Sequence, residues 1–355
     1  MNAYRAEASA PSLLLQAAID PRSMRRLELS AWEPLLSCAR RNAVLAYLAH
    51  KAEAADILGD VPAAPRDAMR AAQTAAARLA QLALWELDRV SRVLLRVGIP
   101  AIALKGAAYL LRGMPHAATR VLTDVDIMVP RERIDECERE LLAAGWKGTK
   151  LDAYDQQYYR RWSHEIPPLQ YPGRMLSIDV HHTICPPVSR LRPDPRAFLF
   201  SPVDSVLHAA IHLFFDSDLD GRFRDLLDLH EMLQTFGLRE GFWEALLRRA
   251  KEQNLGRPLY YAVVTLQALL KTGIPEDVRR KVEQFRPPAA VDLWMRKTLT
   301  TLLTPVDPEP WPPPNRARRW LMFVRSHWLR MPPHLLIPHL LRRSLRRVSV
   351  EQADA

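Results

Sequence analysis

The sequence predicts an α+β protein, mostly helical, with a small mixed sheet set between helical lobes. Three observations predict it. Glycine is scarce, with 12 residues in 355, while alanine, leucine and arginine dominate long stretches, a helix-forming composition. Apolar residues recur at helical spacing before residue 98 and again after 187. Between them, residues 99–185 change texture to short apolar runs separated by turn signals, the mark of an α/β unit.

The elements follow in order. One helix is predicted over 31–52. A second begins near Pro65, where Met69, Leu79, Leu82, Leu87, Val90 and Leu94 form a broad stripe that Gly98 stops. IPAIALKG reads as a short strand, AAYLLRG as a helix, VLTDVDIMVP as a second strand closed by Pro130, and RERIDECERELLAAGW as an amphipathic helix ended by Gly145. HEIPPLQY and RMLSIDVHHTI read as two further strands turned at YPG. Helices return over 202–215, 222–236, 240–253, 257–271, 276–285 and 290–302. The organisation predicted is a helical lobe at 1–98, an α/β core at 99–185, a helical lobe at 186–304, and a Pro-rich linker with basic helices at 305–355.

Charge and cysteine usage narrow the function classes. A net charge of +10 favours an anionic partner: a nucleotide, a nucleic acid or an acidic membrane surface. Cys38, Cys137 and Cys185 are odd in number and far apart, which excludes a disulfide framework and a cysteine metal site. The first residues lack the basic and apolar pattern of a secretory signal, and no run of about 18 apolar residues exists to span a bilayer. A cytoplasmic location is expected. Residues 316–348 hold nine arginines and three histidines with no acidic residue, interleaved with Trp320 and Trp328. That text suits peripheral contact with anionic lipid, an RNA-contacting arm, or a solvated basic face packed on the core, the last being the commoner arrangement.

The chemistry concentrates on the second strand. Residues two apart on a strand share a face, so Asp124 and Asp126 project together while Val125 and Ile127 point the other way. Two carboxylates that close repel unless a cation lies between them, and hard oxygen donors suit Mg²⁺, or Mn²⁺. If the strand SIDVHH lies alongside, Asp179 completes a three-carboxylate site able to serve an in-line phosphoryl displacement. At the turn before the helix, Gly106 would admit a phosphate to the backbone and the helix end. Lys105 and Arg120 would add positive charge there. The plainer readings are a surface lysine at 105 and an Arg120 that pairs with Asp124.

LKG, then an arginine, then DVDIMV, then IDVHH resembles the DNA polymerase β-like nucleotidyltransferase superfamily. More narrowly it is similar to a bacterial family of uncharacterised nucleotidyltransferases, often encoded near peptide-tailoring or surface-polysaccharide genes. The resemblance covers about 99–185, with weaker similarity in the following helices. It implies that Gly106 belongs to the nucleotide-binding turn, that Asp124 and Asp126 are metal ligands, and that Asp179 is the third carboxylate. It also implies transfer of a nucleoside monophosphate from an NTP to a hydroxyl or phosphate acceptor, such as a peptide, sugar or other small molecule. Ala107 departs from the superfamily's Gly-Ser or Gly-Gly turn, and the gap from Gly106 to Asp124 is longer than usual. Another phosphate-linked donor therefore stays open: glycosyl transfer from a sugar nucleotide to a phosphorylated peptide or lipid. So do a non-catalytic binding adaptor on the same fold and a toxin-like enzyme acting on tRNA.

Other residues are secondary candidates. His181 shares the face of Asp179, as a substrate contact or a support for the carboxylate, whereas His182 points to the other side. Asp225 and Asp228 lie on one side of a predicted helix and either approach the nucleotide pocket or pair with Arg222 and Arg224. His208 and His212 have zinc-pair spacing in HAAIH, but the Glu of a metalloprotease is missing, so a buried, hydrogen-bonded pair is expected.

Overall fold

The computed structural model describes residues 9–149, 159, 162–186, 201–215, 219, 221–306 and 315–338. Within the expected Pro-rich linker, residues 307–314 lie outside the described residues, as does the basic stretch beyond 338. The chain is mostly helical with a five-stranded mixed sheet, as the composition predicts.

The helices before the sheet are α1 (Ala10–Ile19), α2 (Leu29–Arg41), α3 (Leu45–Ala54) and the long α4 (Ala63–Arg96). The single helix expected over 31–52 is two. Ala43 takes a positive φ of 54°, and the Asn42 side chain donates to the Cys38 and Val306 carbonyls and accepts from the Val306 N–H. An asparagine that satisfies backbone groups in this way ends a helix without glycine or proline.

The sheet consists of β1 (Ile102–Ala103), β2 (Asp124–Met128), β3 (Lys147–Gly148), β4 (Leu169–Gln170) and β5 (Ser177–His181), in the order β1-β2-β5-β4-β3. β1 pairs antiparallel with β2, β2 parallel with β5, and β5 and β3 each antiparallel with β4. The expected strand over IPAIALKG shrinks to two residues because helix α5 (Lys105–Leu111) begins at once, with Lys105 at φ 44°. Helix α6 (Ile134–Ala143) and strands β3 and β4 form the crossover that brings β5 back parallel to β2.

Period-two alternation divides the sheet into two faces. Val125, Ile127, Ile178 and Val180 are fully buried on the back, in one cluster with Ala83, Leu87, Val90 and Leu94 of α4 and Cys137 and Leu141 of α6. Each buried aliphatic side chain contributes about 1.5–3 kcal/mol of burial free energy, enough to pin the register. The front carries Asp124, Asp126, Ser177, Asp179 and His181.

That polar front faces the second helical region. It comprises α7 (Pro202–Phe215), α8 (Phe223–Phe236), α9 (Phe242–Glu252), α10 (Gly256–Leu270), α11 (Glu276–Val282), α12 (Ala289–Leu303) and α13 (Arg316–Arg330). The helix expected over 276–285 ends at Val282 and tightens into a 3₁₀ turn at Glu283–Phe285. A second buried cluster runs from Leu13 and Leu14 of α1 through α7, α8 and α10 to Leu299 of α12, so helices that precede the sheet in sequence share a core with those that follow it. All three cysteines are buried and none forms a disulfide.

Candidate functional site

The parallel ladder places Asp126 opposite Asp179 and Asp124 opposite Ser177. Direct partners in a parallel pair point to the same side, so Asp124, Asp126 and Asp179 rise from one face of two adjacent strands. Their surroundings treat them differently. Asp126 is buried, and its Oδ1 accepts from Lys105 Nζ at 2.7 Å and contacts His181 Nε2 at 2.9 Å. Burial pushes its carboxyl up, but Lys105 and His181 outweigh burial and hold it well below the usual carboxylate range. Lys105 mirrors this: burial opposes its charge, Asp126 outweighs burial, and its pKa is raised.

The other two carboxylates lack such support. Burial, followed by the Asp126 charge, raises Asp124. Burial, then Asp126, Glu165 and Asp124, push Asp179 up to about 7. Asp179 Oδ1 has no hydrogen-bond partner among the described residues. A buried, orphaned carboxylate oxygen amid three other acidic groups is costly without a cation, and oxygen donors of this kind suit a divalent ion. The donor set therefore fits a hard metal.

An open cleft of ≈ 680 Å³ lies over this face. The sheet side contributes Lys105, Gly106, Arg120, Asp124 and Asp126, and the helical wall contributes Ala209 and His212 of α7 with Arg222, Asp225 and Asp228 around α8. Gly106 is glycine for a local reason: a Cβ there would fall 2.5 Å from Leu122 Cδ2 and 3.4 Å from Arg120 Nε. The missing side chain makes room for Leu122 beneath the cleft.

Arg120 pairs with Asp228 and, at 3.5 Å, with Asp225, rather than with Asp124. Asp228 is 2 % exposed and also meets Arg224 Nε at 3.2 Å and His116 Nε2 at 3.6 Å. Arg224 in turn donates to Thr119 Oγ1 and the His116 carbonyl, both at 2.9 Å. Burial, then Arg120, lower Arg224 to about 9, and burial, then Arg224, lower His116 to about 3, leaving a neutral imidazole. Asp225 meets Arg222 at 2.9 Å. Thus Asp225 and Asp228 line the cleft and are ion-paired with Arg222 and Arg224 respectively.

The histidines divide. His208 is buried, and burial followed by Lys105 lowers it to about 3. His212 reaches the cleft wall, held well below its ordinary value by burial and then by Lys105 and Arg222. Neither ring makes a hydrogen bond among the described residues, so the expected hydrogen-bonded pair is not what forms. His182 is buried beyond the end of β5, its N–H donating to the His164 carbonyl.

Sequence reasoning missed His164 and Glu165. An antiparallel bridge joins Glu165 to His181, and Ile166 N–H donates to Val180 O. Glu165 Oε2 comes within 3.5 Å of both His164 Nε2 and His181 Nε2. These three donor atoms lie within 4.8 Å of one another, beside Asp126. The available signal was HE in one predicted strand and DVHH in the next, but no local spacing joins them.

A family model described as uncharacterised nucleotidyltransferase matches residues 28–271. The matched span takes in the whole sheet, the cleft, and helices α2 to α10, and reaches further toward the N-terminus than the resemblance at 99–185. No curated protein and no solved structure matches the chain.

Proposed function

This chain belongs to the uncharacterised nucleotidyltransferase family, and from that premise we propose that it transfers a nucleoside monophosphate from an NTP to a hydroxyl or phosphate acceptor in the cleft. The observation that carries the reading is the β2–β5 register, which sets Asp126 beside Asp179 on the face that also bears Asp124. Asp124, Asp126 and Asp179 would hold Mg²⁺, which when bound neutralises phosphate charge and orients the triphosphate.

The chain's own groups supply the rest. Arg120 and Arg222 bring positive charge to the cleft, tethered by Asp225 and Asp228 so that they need little reorganisation when the triphosphate arrives. Lys105 holds Asp126 ionised in its buried position. Asp179, unpartnered at Oδ1, orients the acceptor and takes its proton. The acceptor oxygen then bonds to the α-phosphorus, the bond from that phosphorus to the β-phosphate bridging oxygen breaks, and pyrophosphate leaves. Positioning and electrostatics account for most of the acceleration in such transfers.

Asp124→Asn provides the test, because Asp124 is half-buried and lacks the Lys105 and His181 contacts that stabilise Asp126. Mg²⁺-dependent NTP binding by calorimetry and pyrophosphate release should be lost while circular dichroism stays native. Undiminished binding and release in Asp124→Asn and Asp126→Asn alike would reject the reading.

A further inference from the structure

We propose that His164, Glu165 and His181 form a second cation site, of transition-metal type, next to the carboxylates of β2 and β5. The geometry of the donors supports it. His164 Nε2 and His181 Nε2 each lie 3.5 Å from Glu165 Oε2. Donors bound at about 2.0–2.2 Å in a tetrahedron stand roughly 3.3–3.6 Å apart, the arrangement taken by Zn²⁺. An octahedral Mg²⁺ at about 2.0–2.1 Å would draw its donors to roughly 2.8–3.0 Å. The donor chemistry agrees, since two imidazoles and one carboxylate suit zinc-like ions, whereas Mg²⁺ prefers oxygen alone.

The backbone holds these donors in place before any ion arrives. Main-chain bonds from His182 N–H to His164 O at 2.9 Å and from Ile166 N–H to Val180 O at 3.0 Å clamp the 164–166 segment to β5. His181 is 1 % exposed, so its ring cannot swing away to solvent. On binding, His181 Nε2 exchanges its contact with Asp126 Oδ1 for the cation. Asp126 keeps Lys105 Nζ at 2.7 Å, so its charge stays compensated. Three protein donors leave the fourth tetrahedral position for a water or a substrate oxygen.

The site stands apart from the transfer reading, and its test separates the two. Full-length protein stripped with a chelator is titrated with Co²⁺, whose tetrahedral complexes absorb strongly in the visible. One equivalent should develop that band, Zn²⁺ should displace it, and excess Mg²⁺ should not. His164→Ala and Glu165→Gln should each weaken binding by at least about tenfold, since even outer-shell losses at metal sites cost 10–100-fold. Asp124→Asn should keep the band. No band in the wild-type protein overturns the proposal whatever the variants do. So does a band that survives in His164→Ala, or one lost in folded Asp124→Asn. Mg²⁺-dependent NTP binding in the same preparation reports separately on nucleotidyl transfer.

Discussion

Lys105 Nζ and Asp126 Oδ1 are 2.7 Å apart, joining the first residue of α5 to the middle of β2 in a pair whose side chains are 18 % and 4 % exposed. Lys105 makes this contact from a left-handed backbone conformation, at φ 44°, that non-glycine residues seldom adopt. Such conformations persist only where surrounding contacts over-determine them, and the pair with Asp126 is one of those contacts. Lys105→Met should cost about 2–4 kcal/mol at neutral pH, because it leaves a buried carboxylate with His181 as its remaining close partner. The pH dependence has a definite sign. Asp126 is depressed in the folded state, so its contribution is present above the unfolded carboxyl value and disappears as pH falls through the folded one. Removing Lys105 raises the folded value, so acid unfolding should begin at higher pH. Urea titrations at pH 7 and acid titrations followed by circular dichroism test both statements.

Asp179 has the opposite sign. Its folded pKa of about 7 lies above that of an unfolded aspartate, so the folded state binds the extra proton. The resulting destabilisation is absent below about pH 4, grows from there to pH 7, and is complete above it. In chelator-treated protein, stability should therefore fall between about pH 4 and 7. Asp179→Asn should flatten that fall and stabilise the protein at pH 8 by on the order of 1–2 kcal/mol after allowance for solvent screening. Mg²⁺ should raise the melting temperature of the wild type at pH 8 and have less effect on the variant. A melting series across pH, with and without Mg²⁺, would expose a wrong sign at once.

Physical locality explains what the sequence made legible. Asp124 and Asp126 were readable because strand alternation is a two-residue rule, and the buried Val125 and Ile127 between and after them obey it. Placing Asp179 beside Asp126 required only that β5 pair with β2, and the apolar pattern of both strands allowed it. The break at Asn42 and Ala43 was hidden, because it depends on Val306, distant in sequence. Likewise, Glu165 meets His181 through an isolated bridge formed where the chain folds back. The salt-bridge hub at Asp228 draws on Arg120, Arg224 and His116, of which only Arg224 is at helical spacing.

That hub predicts a contrast between two acidic residues three positions apart. Asp228→Ala removes the anion facing two arginines, one of which, Arg224, is 6 % exposed. Uncompensated buried charge should cost about 3–5 kcal/mol. Asp225, 18 % exposed, shares its partners Arg120 and Arg222 with solvent, and Asp225→Asn should cost less than about 1 kcal/mol. Both numbers come from denaturant unfolding, and equal costs would show that the hub is not centred on Asp228.

Gly106 separates packing from ligand approach. A Cβ there meets Leu122 Cδ2 at 2.5 Å, and Leu122 is itself 5 % exposed, so Gly106→Ala should cost about 1–3 kcal/mol by overpacking. Leu122→Ala alone should cost about 2–5 kcal/mol by leaving a cavity. The two changes are complementary in shape: the added methyl points into the space that the lost isobutyl group vacates. In the Leu122→Ala background, Gly106→Ala should therefore be nearly neutral, with a coupling of about 1–3 kcal/mol in a double-mutant cycle. NTP affinity should follow the same pattern, falling in Gly106→Ala and recovering in the double variant, because the Cβ direction leads to Leu122. A double variant that regains stability but still fails to bind NTP would mean instead that the bare backbone at 106 contacts the triphosphate.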